Sequence, residues 1–264
     1  MNKLKNLLSK ALHNFEDALY PEYSCLICGR ETKSNLFLVC ERCKQKLVPL
    51  SSNQCQKCGM PIALPATICD DCKSREIHFD KATAAYIFDD TSAKLVYGIK
   101  YSGHKFAAKH LAAMLVSKIS SFGQIDTIIP VPLHPNRKKW RGYNQSELLA
   151  KEMSEMTSIA VDTTSLERHI ETETQQGKGR TEREANMIGA FRVTDKNAVA
   201  SKSILVVDDV FTTGTTVNEC ARVLKKNGAA KVFVATVLKT TSALSHTKQT
   251  KNRKQNGRKN SRTN

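Results

Sequence analysis

The chain has 264 residues, of which 40% are hydrophobic, and this suffices for one ordinary globular domain and a smaller module but not for two large domains. No segment approaches the eighteen or more apolar residues of a membrane-spanning helix, and the N-terminal stretch lacks the apolar core of a signal peptide, so the sequence predicts a cytoplasmic protein. The formal net charge of +16 indicates a polyanionic partner or substrate without identifying it.

Residues 1–22 predict an amphipathic helix. Apolar residues recur at helical spacing from Leu4 to Leu19, and polar residues interrupt them throughout. A helix of this kind usually packs on its own protein or on a partner, and less often lies on a membrane surface.

Eight of the nine cysteines form four CxxC pairs, which predict a double zinc ribbon over residues 23–76. Two thiolates in a tight knuckle hold one side of a tetrahedral ion, and a second knuckle completes the shell. Consecutive pairing is favoured, and an interleaved arrangement, first pair with third and second with fourth, has the same ligand count. The sequence therefore predicts two Zn²⁺ sites. The predicted ligands are Cys25, Cys28, Cys40, Cys43, Cys55, Cys58, Cys69 and Cys72.

Residues 77–240 alternate strand and helix signals, which predict an α/β domain with a parallel sheet. Strands are expected near 82–88, 126–132, 165–170, 190–194, 203–207 and 231–238. Helices are expected through about 92–100 and 106–119, after residue 144, and from about 217 to a stop at Gly228. Asn144 with Glu147 three residues later predicts a capping box for the third of these helices.

The stretch ILVVDDVFTTGTT, residues 204–216, joins an apolar run to a hydroxyl-rich turn. The run predicts a central parallel strand, so two aspartates lie at its carboxyl edge, where open α/β sheets bind ligands. The small turn residues precede a helix whose free N–H groups favour an anion, and the acid pair can accept hydrogen bonds from a sugar diol. A 5-phosphoribosyl group suits this combination. Its predicted binding residues are Asp208, Asp209, Thr212, Thr213, Gly214, Thr215 and Thr216.

This stretch resembles the phosphoribosyl-diphosphate motif of the type I phosphoribosyltransferases. In such enzymes a nucleophile displaces diphosphate from the anomeric carbon with the help of Mg²⁺. Two further segments are predicted to serve the site, each with an ordinary solvent-exposed loop as the alternative. A basic loop can neutralise diphosphate, and its cations are Arg137, Lys138, Lys139 and Arg141. The polar stretch 174–186 is long enough for a lid that excludes water, and it carries Arg180 and Arg183.

The order of the motifs resembles the ComF family of bacterial competence proteins over roughly residues 20–240. Four CxxC pairs precede YGIKYSGHK, PVPLHPNRKKWRGYNQS, QQGKGRTEREANMIGAF and LVVDDVFTTGTT. The resemblance implies a double zinc ribbon fused to a type I phosphoribosyltransferase-like domain. It places the diphosphate loop at 134–145, the phosphoribosyl motif at 204–216 and the lid at 175–186. Residues that match the family's lysine-tyrosine segment receive no role, and they are Lys100, Tyr101, Gly103 and Lys105.

The same resemblance implies a role in natural transformation. The protein would act on incoming single-stranded DNA at the cytosolic side of the uptake machinery, alongside a DNA translocase and in peripheral association with the inner membrane through its partners. The alternative is an active phosphoribosyltransferase that acts on an unidentified nucleophile. No base-recognition feature and no catalytic residue are recognisable, and Trp140 either packs locally or stacks on a base.

Residues 241–264 form a basic tail. This segment carries seven lysines and arginines and no acid, so it cannot fold alone. It is either a solubilising tail or an arm for nucleic acid.

Overall fold

A computed structural model of the chain describes residues 24–32, 38–101, 107–170 and 187–241. The predicted N-terminal helix, the lid with Arg180 and Arg183, and nearly all of the basic tail lie outside these ranges. The chain divides into two compact units, Met1–Lys46 and Leu47–Asn264. The predicted boundaries after residues 22, 76 and 240 stay predictions.

The smaller unit contains the first cysteine group. An isolated antiparallel bridge joins Ser24 to Glu31, and the amide of Leu26 donates to the carbonyl of Leu38. A single helical turn, α1 (Glu41–Lys44), begins directly after Cys40. The two cysteine knuckles are thus supported mainly by backbone hydrogen bonds.

The larger unit is built on strands that form two sheets. The strands are β1 (Lys81–Ile87), β2 (Thr127–Pro130), β3 (Ala160–Val161), β4 (Leu166–Arg168), β5 (Phe191–Val193), β6 (Ser203–Phe211) and β7 (Lys231–Lys239). Five of them form a sheet in the order β1-β7-β6-β2-β3, and every pairing in it is parallel, which confirms the predicted α/β class. The other two, β4 and β5, pair antiparallel as a separate two-stranded sheet.

Helices cover the sheet. Helix α4 (Ala107–Ile119) follows β1, and helix α6 (Gln145–Thr157) follows β2; these two helices pack on each other and on the sheet. Helix α7 (Thr215–Lys226) packs against β5, β6 and β7. The helices are α2 (Asp70–Lys73), α3 (Ala93–Tyr101), α4 (Ala107–Ile119), α5 (Pro135–Arg141), α6 (Gln145–Thr157) and α7 (Thr215–Lys226), with a 3₁₀ turn at Ser120–Phe122. None of the helices in the described ranges combines the length and the apolar character that a membrane crossing requires.

One core joins the second cysteine group to the sheet. Ile204 and Val206 of β6 lie in it with Cys220 of α7, and so do Cys55 and Cys58. Cys220 is fully buried. The second cysteine group is therefore part of the same hydrophobic core as the central strand.

The structure differs from the sequence prediction in four elements. β6 runs through the acid pair to Phe211, because β7 remains its hydrogen-bonded neighbour as far as Lys239. The predicted basic loop forms helix α5 over residues 135–141, and α7 begins at Thr215, two residues before the expected start. The two-residue strand β3 was not predicted.

Candidate functional site

The strand order of the sheet reverses between the neighbouring strands β2 and β6, because the chain continues from them to opposite sides. The segment after β2 leads through α6 to β3 on one side, and the segment after β6 leads through α7 to β7 on the other. A crevice at the carboxyl ends of the strands is expected at such a switch point, and ligands bind there in open α/β sheets. β2 ends at Pro130, which pairs with Val207 of β6. From Asp208 onward, β6 therefore has no β2 neighbour and faces this crevice.

The acid pair is anchored from two sides of the crevice. The hydroxyl of Ser146, in the first turn of α6, donates to Oδ1 of Asp208 at 2.8 Å, and the backbone amide of Asp209 donates to the same oxygen at 2.9 Å. Asp209 forms an ion pair with Lys100 of α3. The side chains of Lys100 and Asp209 are only 23% and 6% exposed. The lysine-tyrosine segment, which had no role in the sequence analysis, thus supplies the cation at the acid pair.

Neutral pH falls within the titration range of Asp208. Burial and, to a smaller extent, the negative charge of Asp209 raise the pKa of Asp208 to about 7, although the hydrogen bond from Ser146 and the charge of Lys100 act in the opposite direction. Asp208 therefore holds its proton far more readily than an ordinary aspartate.

The hydroxyl-rich turn forms the start of α7. Gly214 is the N-cap residue with φ +77°, a left-handed conformation that favours glycine. The amide of Asn218 donates to the carbonyl of Gly214, so the amides of the three residues before Asn218 precede the first intrahelical hydrogen bond. The hydroxyls of Thr213 and Thr215 lie 2.7 Å apart. This arrangement of N–H and O–H donors suits a phosphate.

The cations predicted to meet diphosphate lie on α5. His134 caps its start by accepting from the amide of Asn136 at 3.3 Å, and Gly142 ends it in the left-handed conformation. Lys138 forms an ion pair with Glu147 of α6 at 2.9 Å, and Arg141 donates to the side-chain oxygen of Gln145 at 2.5 Å.

The remaining cations of α5 differ in exposure. Lys139 is exposed and Arg137 is half-buried. Trp140, on the same helix, is 76% exposed. Local packing of the Trp140 ring, one of the two predicted alternatives, is therefore wrong.

A cavity of about 540 Å³ lies between α5 and the β4–β5 pair. Charged and titratable side chains contribute to its lining, and they are His134, Lys138, Glu147, Glu167, Arg168, His169 and Arg192. The acid pair and the turn before α7 do not line it. Burial would raise the pKa of Glu147, but its pairs with Lys151 and Lys138 outweigh burial and lower it.

The cysteines form two groups of four in consecutive order, Cys25/Cys28/Cys40/Cys43 and Cys55/Cys58/Cys69/Cys72. This confirms consecutive pairing and excludes the interleaved one. The sulfurs of each group lie within 4.8 Å of one another, and the Sγ–Sγ distances are 3.8 Å for Cys28–Cys40 and 3.6 Å for Cys58–Cys69. A tetrahedral ion with Zn–S bonds of about 2.3 Å separates its sulfurs by about 3.8 Å. Both groups therefore fit Zn²⁺, and zinc bound there would serve as a structural ion.

The second group lies beside a buried cation. Lys239, the last residue of β7, is 1% exposed, and its Nζ lies 3.3 Å from the centroid of the Phe211 ring. Burial lowers the pKa of Lys239 to about 8, while the charges of Cys58, Cys72 and Cys69 act to raise it. The hydrogen bond from Cys72 lowers the pKa of the Cys58 thiol to about 5 against the effect of burial, and the charge of Lys239 assists.

Sequence reasoning missed the roles of three residues near these sites. Ser146 was detectable, because it lies in the first turn of the helix after the strand that borders the crevice. Lys100 was named only through the family's lysine-tyrosine segment, and its partner Asp209 lies more than a hundred residues away in the sequence. Lys239 carries no local signal, because its partner Phe211 lies about twenty-eight residues away.

Comparison with known proteins gives matches over most of the chain. The double zinc ribbon domain family matches residues 15–73, and the phosphoribosyl transferase domain family matches residues 70–261. DNA utilization protein YhgH of Salmonella typhimurium is 32% identical over 80% of this chain and 94% of its own length.

Two further relatives carry competence names. Competence protein F of Haemophilus influenzae is 28% identical over 80% of this chain and 95% of its own length. Competence protein ComFC of Bacillus subtilis is 26% identical, and the match covers 81% of this chain and 94% of that protein.

Proposed function

Because the chain belongs to the ComF family, in which a double zinc ribbon precedes a phosphoribosyltransferase domain, we propose that it acts in natural transformation with a working phosphoribosyl pocket. Its relatives support a competence role in general. The proposal adds that it handles incoming single-stranded DNA on the cytosolic side of the uptake machinery, alongside a DNA translocase at the inner membrane. In this proposal, the crevice between β2 and β6 binds phosphoribosyl diphosphate with Mg²⁺, or the 5′-phosphate of a DNA end.

The observation that carries the proposal is the hydrogen bond from Ser146 to Asp208. It joins the first turn of α6, the helix that follows the cations of α5, to the end of β6, and this supports a single crevice formed by the acid pair, the start of α7 and the cations of α5. The acid pair is suited to a ribose diol, and the helix start to the 5-phosphate. The cations of α5 are suited to the diphosphate, whose negative charge they can offset.

Single-stranded DNA is proposed to meet α5. In the described part of the chain, the large exposed aromatic side chains are Trp140 and Tyr97, and Trp140 stands among basic residues. The hydroxyl of Tyr143, just after α5, donates to the carbonyl of Ile99 at 2.6 Å, so α5 adjoins the last turn of α3, the helix that carries Tyr97. Exposed aromatic rings beside cations are the usual means of binding single strands without sequence preference.

The proposal is tested by titrating the purified protein with phosphoribosyl diphosphate in the presence of Mg²⁺. The wild type is expected to bind, and the Asp208→Asn/Asp209→Asn double variant is expected to bind at least tenfold more weakly, because charge-assisted hydrogen bonds to the diol are lost. Asp90→Asn removes an exposed carboxylate and serves as the control. Normal transformation by a double variant that has lost phosphoribosyl diphosphate binding would reduce the protein to a zinc-stabilised DNA-binding scaffold.

An active phosphoribosyltransferase is the second candidate, and the cavity beside α5 favours it. A volume of about 540 Å³ next to the proposed diphosphate side has room for an acceptor. The nucleophile would form a bond to the anomeric carbon while the bond to diphosphate breaks, and its proton would pass to solvent or to the released diphosphate. Release of labelled diphosphate in the presence of single-stranded DNA or small-molecule acceptor pools tests this. Binding without release would leave the pocket as a ligand sensor.

A further inference from the structure

Lys239 is a buried cation without an acidic partner. Among the described residues, its ammonium has no hydrogen-bond partner and takes part in no ion pair with a carboxylate. Burying an uncompensated charge is strongly destabilising. The contact with the Phe211 ring offsets only part of that cost, so a further source of negative charge is required.

The second cysteine group can supply that charge. Cys58 and Cys69 lie in the same hydrophobic cluster as Phe211, and Cys72 packs against that cluster, while the Lys239 ammonium covers the Phe211 ring. The charges of these three cysteines attract Lys239, and Arg75 adds a repulsive positive charge. Four thiolates around one Zn²⁺ carry a formal charge of −2. We propose that Lys239 is the internal counter-charge of this zinc site, and that its contact with Phe211 makes the shape of the phosphate-binding turn depend on the zinc.

The link to the turn runs through the Phe211 ring. Phe211 ends β6 directly before the turn, and its ring meets Phe79 edge to face at 6.0 Å. A Cβ atom at Gly214 would lie 2.6 Å from Cε1 of this ring, so ring and turn backbone are in tight contact. Thr240, next to Lys239, donates its amide to the carbonyl of Phe211 at 3.0 Å. A displacement of Lys239 therefore reaches Gly214 through a single side chain.

The two zinc sites are consequently unequal. The first cysteine group lies in the smaller unit and supplies an internal reference within the same chain. Only the second group is proposed to hold Lys239 and, through it, the turn. The binding readout of this inference rests on the proposed function, whereas its zinc and amide-exchange readouts do not.

The test compares the full-length, zinc-loaded protein with Lys239→Met, which keeps the length of the side chain and removes the charge, and with Lys239→Arg, which keeps the charge. Lys231→Met is the matched control, because Lys231 is an exposed lysine at the opposite end of β7. Zinc transfer to a chromophoric chelator is measured for each variant. In Lys239→Met, one of the two zinc ions is expected to be held about 10–100-fold more weakly, as is typical when an outer-shell partner is lost. Lys239→Arg and Lys231→Met should retain both ions.

Hydrogen exchange of the amides from Gly214 to Val217 reports on the turn. Faster exchange in Lys239→Met, with unchanged exchange in Lys231→Met, is expected, together with weaker phosphoribosyl diphosphate binding. Wild-type zinc retention in Lys239→Met would overturn the counter-charge, and altered zinc retention with unchanged exchange would overturn the link to the turn. If Lys239→Met does not fold, the arginine variant decides: loss of the second zinc despite a retained cation would refute the electrostatic explanation. Failure of wild-type protein to bind phosphoribosyl diphosphate would refute the proposed function while the zinc and exchange results stand.

Discussion

Substituting Asp209 by asparagine tests how much its ion pair with Lys100 contributes to stability and to ligand binding. The change keeps the size of the side chain but leaves Lys100 without the carboxylate that it pairs with. Breaking a buried ion pair from one side costs about 3–5 kcal/mol. The Lys100 side chain is 23% exposed and can be partly rehydrated, so we expect a loss of about 1–3 kcal/mol in the free energy of unfolding.

The contribution of Lys100 is isolated by a double-mutant cycle. Lys100→Met alone leaves Asp209 unpaired, whereas Lys100→Met/Asp209→Asn removes both charges. We expect a coupling energy of about 1–2 kcal/mol, since contacting residues in one network are not additive. Ligand affinity should separate from stability: the double variant regains stability but still binds phosphoribosyl diphosphate about tenfold to a hundredfold more weakly, because the diol lacks its acceptor.

The assays are urea denaturation followed by circular dichroism, and calorimetric titration with phosphoribosyl diphosphate and Mg²⁺. Asp90→Asn is the control for a charge change alone. Stability losses that add within about 0.3–0.5 kcal/mol would show that the ion pair is not a coupled unit. Full recovery of ligand affinity in the double variant would refute the assignment of Asp209 to the diol.

Three further predictions concern pH, single-stranded DNA and salt. The raised pKa of Asp208, about 7, makes the folded protein retain a proton that the unfolded chain releases near pH 4, so this group costs stability as pH rises from about 4 to 7. The free energy of unfolding of Asp208→Asn relative to wild type, measured by urea denaturation, should therefore increase across that window by at most about 4 kcal/mol and then level off. A stability difference that stays constant with pH would contradict the raised pKa of Asp208. Trp140→Ala should weaken single-stranded DNA binding by about 1–3 kcal/mol in fluorescence anisotropy, with Trp140→Phe largely preserving it, since stacking tolerates any aromatic face; equal affinities for wild type and alanine variant would remove α5 from the DNA site. Truncation after Thr240 removes seven cations and should reduce the log–log salt slope of DNA binding by up to about 5, whereas an unchanged slope would make the tail a bystander.

The parts of the fold that the sequence predicted depend on local signals. The apolar run before Asp208 identified the central strand, and Asn144 identified the start of α6, where its side chain accepts from the amide of Ser146 at 3.1 Å. The predicted partner in a capping box, Glu147, instead pairs with Lys138 and Lys151. Consecutive pairing of the cysteines was likewise favoured by spacing alone.

Helix α5 was missed although its termini carry helix signals. Pro135 stands at its first position and Gly142 just past its end, which is the usual placement of both residues. Four cations within five residues favoured a solvated loop, because like charges on adjacent turns repel. The ion pair of Lys138 with Glu147 and the bond from Arg141 to Gln145 relieve that repulsion. Both partners lie on α6, so the compensation arises only once the two helices are in place.

Lys239 illustrates a limit of strand patterns. A lysine at the end of an apolar strand is normally interpreted as the point where the strand reaches solvent. Here, the Phe211 ring lies 3.3 Å from the ammonium, which is buried. No property of residues 231–239 alone distinguishes these two cases.

Residues 47–76, the part of the predicted double zinc ribbon that lies in the larger unit, also cover an edge of the sheet. β1 is an edge strand, and the carbonyls of Val48 and Lys57 accept hydrogen bonds from the amides of Ile87 and Ala82 at 2.8 and 2.7 Å. An exposed strand edge is a template for pairing with other chains, and natural proteins avoid aggregation by covering it. A fragment that begins at residue 77 would lose this cover together with the second zinc site. Such a fragment would present β1 to its neighbours and self-associate, whereas one that begins at Leu47 would keep the edge closed.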